Sequence, residues 1–138
     1  MFDKIDVSLI IGTVCGICSA FLGPLDGVIL TLLCFMGMDY ITGVVSGAIA
    51  GELSSKTGFK GLLKKVLILL IIGAIHTAEL RFLGSDGHAL RDGVCAFYIG
   101  NEGISILENV HECGVTYPRR IEKLFEAWRT ENDDEADS

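Results

Sequence analysis

Charge is nearly absent from the first fifty residues: positions 7–25 carry none, and positions 27–51 carry only Asp39. Each run meets the length of about 20 apolar residues that a membrane-crossing helix needs. Half of the 138 residues are hydrophobic and the mean hydropathy is +0.50, which excludes an ordinary soluble globule with a charged surface. Basic residues are also scarce, eleven against eighteen acids, and the net charge of -7 excludes a nucleic-acid partner. Part of that acidity belongs to a cluster after Arg129, "TENDDEADS".

Motifs of known chemistry are missing. There is no P-loop, no G-x-G-x-x-G, no H-E-x-x-H and no nucleophile triad. His76, His88 and His111 fall in separate segments without ligand spacing, and Cys15 and Cys18 have no second ligand pair downstream. No enzyme activity, metal or cofactor is therefore expected. Five cysteines, mostly in apolar runs, act as small hydrophobes and give no disulfide framework. The start "MFDKID" has two acids against one lysine, and no A-x-A site follows, so no cleaved secretory signal is expected.

What is present is a series of apolar segments. Spans are predicted at 7–23, 27–51, 66–83 and 93–110, the last weaker because it contains Asn101 and Glu102. "GPLDG" makes the first turn, and "ELSSKTGFKGLLKK" reads as a solvated loop leading into a helix. The third span is short, about 27 Å at helical rise, and crosses if Lys65 and Arg81 snorkel. Four crossings put nine basic residues on one side and two on the other, which places both termini in the cytoplasm. The fold class expected is an all-α integral membrane protein, residues 1–115 forming the membrane domain. Residues 116–138 form a cytoplasmic amphipathic helix with a disordered acidic tail.

That amphipathic helix places Ile121, Leu124, Phe125 and Trp128 at i, i+3, i+4 and i+7, among Arg119, Arg120 and Lys123. It is expected on the anionic inner leaflet, with packing on the ends of the spans as the alternative.

Small residues gather on one face of the first two spans: Gly12, Gly16 and Ala20 in the first, and Gly43, Ser46, Gly47 and Gly51 in the second. In lipid such faces are helix contact surfaces, because small residues let backbones approach closely. The fourth segment carries a polar stripe instead, including Tyr98, Asn101, Glu102 and Ser105. It suits either a helix lying at the interface or one that lines an aqueous cavity once copies assemble. Asp39, with Thr42 on its face, costs about 2.5–3.5 kcal/mol to insert unless it is protonated, paired or wet. Its candidate partners are His76, the Tyr98 hydroxyl and Arg81; a purely structural hydrogen bond is the other reading.

The order "MDYITG", "SSKTGFKGLLKK", "FYIGNEGISILEN" and a charged amphipathic C-terminus resembles the phage-lysis and toxin-secretion holins of Gram-positive hosts. The resemblance covers Asp39 to Leu124. It implies a non-enzymatic protein of the cytoplasmic membrane that oligomerises and opens lesions, releasing an endolysin or a toxin. The bilayer and other copies of the chain are then its physical partners, and the released enzyme or toxin its functional one. The alternatives are a small four-helix proton-coupled transporter, against which no aromatic cage surrounds Asp39 or Glu102, and a non-permeabilising antiholin or assembly subunit.

Overall fold

The computed structural model describes residues 4–84 and 87–136, with side chains for 6–84 and 87–127, so the Trp128 side chain lies outside the described residues. Its elements are α1 (Lys4–Leu22), α2 (Gly27–Ala50), α3 (Ser55–Ala78) extended by a π-helical turn (Glu79–Leu83), α4 (Ala89–Glu112) and α5 (Arg119–Ala136). Among the described residues there is no strand. Two helices, α2 and α3 with its π-turn, are long and apolar enough to cross a membrane. The apolar stretch Asp6–Leu22 of α1 is shorter, and α4 is too polar to pass the same test.

Local chemistry sets the boundaries. Gly23 adopts a left-handed φ of 84°, which ends α1, and Asp26 caps α2 by accepting the Ile29 N–H at 3.2 Å. Gly51, with φ 71°, closes α2 as the Glu52 N–H returns to the Gly47 carbonyl at 2.9 Å. It is a helix terminus, with nothing of the described chain within reach of a Cβ there.

The lysine-rich stretch expected as a loop is helical from Ser55 onward. The small Gly58 lets α3 lie close to Tyr40 of α2, and tertiary packing outweighs the glycine penalty there. Lys65 consequently sits three turns inside a helix and does not snorkel; its side chain is 12% exposed.

Asp26 meets Arg91, Asp39 meets Asn109, and Ser46 meets Glu112, so α2 and α4 pack directly and run parallel, with α3 returning alongside them. The core is Leu22, Ile29, Leu32, Met36, Ile72, Cys95 and Ile99. A Cβ on Gly73 would fall inside the Phe21 ring, which fixes the C-terminal end of α1 on α3. Gly73→Ala should therefore cost about 1–3 kcal/mol through overpacking. Thermal unfolding in detergent checks this, and Phe21→Ala in the same chain should restore part of the loss.

The C-terminal region packs on the bundle, the alternative given above, and is helical further than expected. α5 folds back antiparallel along α4, with the Phe125 ring on Gly103 and edge-on to Phe35 at 5.8 Å. The absence of a side chain at Gly103 opens the seat that Phe125 fills. The acidic segment expected to be disordered is helical to Ala136, because a helix already nucleated propagates at little further cost.

Candidate functional site

Low hydropathy does not put α4 on the outside: between Arg91 and Leu107 none of its residues is fully exposed. Its polar stripe turns onto α2 and α3. Lys65 Nζ lies 2.7 Å from Asp39 Oδ2 and also pairs closely with the Glu102 carboxylate. Asn109 Nδ2 donates to Asp39 Oδ1 at 3.1 Å and to Thr42 Oγ1 at 3.0 Å, while the Ser46 hydroxyl donates to Glu112 at 2.6 Å. One ammonium thus serves two carboxylates. A lysine suits this position because its three N–H donors radiate from a compact charge.

The expected partners of Asp39 were His76, Tyr98 and Arg81; the structure supplies Lys65 and Asn109 instead. Tyr98 packs against the core and edge-on to Phe97 at 5.2 Å. His76 is buried beside His88, their ring centroids 5.2 Å apart. Lys65 is the residue that sequence reasoning missed. Its signal was position: it begins an apolar run, and a helix starting at Ser55 turns it away from Lys56, Lys60 and Lys64.

A cavity of about 680 Å³ adjoins this network, between α2 and the first turns of α3. Ser105 and Asn109 line it from α4, Asp39, Gly43 and Gly47 from α2, and Lys65 from α3. The small face of α2 is therefore an intrachain surface: Gly43 lies against Asn109, Gly47 against Leu53, and Ser46 bonds to α4. The small face of α1 has no such use, since Gly12 and Gly16 have nothing within reach of a Cβ and Ala20 is exposed. Asn101 is half-buried, and Arg119, Arg120 and Lys123 are exposed on α5.

A second polar centre pins the opposite end. Arg91 is fully buried, yet its guanidinium pairs with Asp26 and with Asp92 at 2.7 Å and reaches the Pro24 carbonyl at 3.3 Å. The Glu79 carboxylate of the π-turn accepts the Leu90 and Arg91 N–H groups, satisfying the first turn of α4. Burial pushes the Asp26 carboxyl up, but the Ile29 N–H and the Arg91 guanidinium outweigh it and hold Asp26 below its ordinary 3.8. Among the described residues, no group of three or more His, Cys, Asp or Glu could hold a metal ion. The geometry performs electrostatic neutralisation, letting a polar helix sit inside an apolar bundle.

The sequence model of a bacteriophage holin family matches residues 16–130. The chain is 40% identical over 113 residues to an uncharacterized protein of Listeria innocua, covering 82% of this chain and 79% of that one. It is 40% identical over 103 residues to an uncharacterized 14.9 kDa protein in the nagH 3' region of Clostridium perfringens, covering 75% and 77%. A probable holin of Bacillus phage phi105 is 31% identical over 96 residues, covering 70% of each chain. No solved structure matches.

Proposed function

The chain belongs to the bacteriophage holin family, and on that premise we propose that it oligomerises in the bacterial cytoplasmic membrane and opens lesions through which an endolysin or a secreted toxin leaves. The observation that carries this reading is the family match across residues 16–130, joined to two helices able to cross a membrane. In this reading α1 and α4 cross as well. α4 does so although polar, because Glu102, Asn109 and Glu112 are paired with side chains of α2 and α3 rather than offered to lipid. The N-terminus, the α2–α3 turn and the start of α5 then share the cytoplasmic side, where the lysines and arginines concentrate.

Copies meet through α1. Its residues 6–18 are exposed, and Gly12, Gly16 and Ala20 allow close approach by a neighbouring helix. Gly16→Leu adds bulk where nothing lies nearby, so the monomer should accumulate normally while cross-linked ladders in membranes shrink at least several-fold. Ladders equal to the parent's would rule out this interface.

Induction together with an endolysin in a bacterium tests the function. Membrane potential should hold, then collapse abruptly as the endolysin escapes. Resistance to a toxic cation without any leakage would instead identify a transporter and overturn the lysis reading.

A further inference from the structure

Phe125 is the seventh residue of α5, and its ring meets Phe35, the ninth residue of α2. At helical rise Phe35 stands about 12 Å from the start of a helix about 36 Å long. If α2 crosses the bilayer, that contact lies within the hydrocarbon layer, which is about 30 Å thick. The first two turns of α5 thus descend from the α4–α5 turn to membrane depth.

These turns are charged. Arg119, Arg120, Lys123 and Glu126 are exposed and Glu122 is half-buried, while Phe125 faces the bundle. Each charge placed in lipid near the bilayer centre costs about 2.5–3.5 kcal/mol, more than one phenylalanine contact returns. The outer face of α5 therefore needs water at that depth, and the assembled hole is where such water exists.

The polar stripe of α4 is largely committed elsewhere, Glu102 to Lys65, Asn109 to Asp39 and Glu112 to Ser46, and Glu108 is its exposed acid without such a pairing. The geometry points to α5 as the helix that lines the lesion, held against α4 and α2 by Phe125 in the seat formed by Gly103 and Phe35. This assignment rests on the lysis function proposed above and names the surface its hole presents. The lumen is then a charged helix face clasped on an apolar bundle, and the ions passing it meet Arg119, Arg120 and Lys123 near the cytoplasmic mouth.

Two measurements on the full chain test it. In planar bilayers under a potassium chloride gradient, Arg119→Glu, Arg120→Glu and Lys123→Glu together should move the reversal potential toward the potassium limit. In a chain with its native cysteines replaced by serine, Phe35→Cys with Phe125→Cys should be joined within one chain by a short bis-maleimide cross-linker that leaves lysis intact. A conducting protein with an unmoved reversal potential, a cysteine pair that does not cross-link, or a cross-link that abolishes lysis overturns the α5 lining alone. A parent chain that carries no current and releases no endolysin overturns the function itself.

Discussion

Lys65→Met is expected to destabilise the folded bundle by about 3–5 kcal/mol, because it leaves the Asp39 and Glu102 carboxylates facing each other without a counter-charge. Both are largely shielded, at 18% and 10% side-chain exposure, so water cannot replace the ammonium. The chain has two ways to respond: protonating at least one acid, or parting α4 from α2 and α3. Either should show as a steep fall in the amount of protein in the membrane fraction and a lower unfolding midpoint in detergent. The decisive comparison is the neutral triple variant, Lys65→Met with Asp39→Asn and Glu102→Gln. Replacing a whole buried ion network by uncharged groups is often nearly neutral, so the triple should recover most of what the single loses. A single variant as stable as the parent would mean that these side chains are hydrated in the membrane.

The pairing also shows which parts of the fold were legible in the sequence. Asp39 stands out as one acid in an apolar run, and α4 stands out by its polar stripe, so the seam's two sides were visible as anomalies. Lys65 was hidden by its neighbours. Four lysines in a stretch with glycines at 58 and 61 suggest a solvated loop, whereas the stretch is helical from Ser55, lies against Tyr40 at Gly58 and so directs Lys65 inward. The same limit applies to α5. Its amphipathic spacing was evident, but the surface that its apolar side covers depends on Gly103 having no side chain, a fact about shape rather than pattern. Glycines at 43 and 47 were identified as contact positions, yet spacing does not say whether the partner helix belongs to the same chain. Here it is α4 and the α2–α3 turn for α2, while the Gly12 and Gly16 face of α1 is uncovered by the chain's own described residues.

The opposite end of the bundle should be equally sensitive, and through the opposite charge. Arg91 is fully buried, so its cost of dehydration is met only by Asp26, Asp92 and the carbonyls of Leu22 and Pro24. Asp26→Asn with Asp92→Asn keeps the shape while removing both counter-charges, and about 3–5 kcal/mol should be lost. Asp26→Asn alone should lose less, since asparagine still caps α2 and Asp92 still neutralises the guanidinium. Acid should mimic the Asp26→Asn change. Asp26 titrates in the folded chain below its ordinary 3.8, so its contribution is fully present above that value and disappears as the pH falls through the lower, folded one. Unfolding midpoints in detergent from pH 7 down to about 3 should fall more steeply for the parent than for the double variant. Because Arg91 ties the α1–α2 turn to the first turn of α4, the loss should also free that turn, and proteases should cut near Pro24 in the double variant. Equal pH profiles for the two proteins would show that Asp26 does not hold the guanidinium in the folded state.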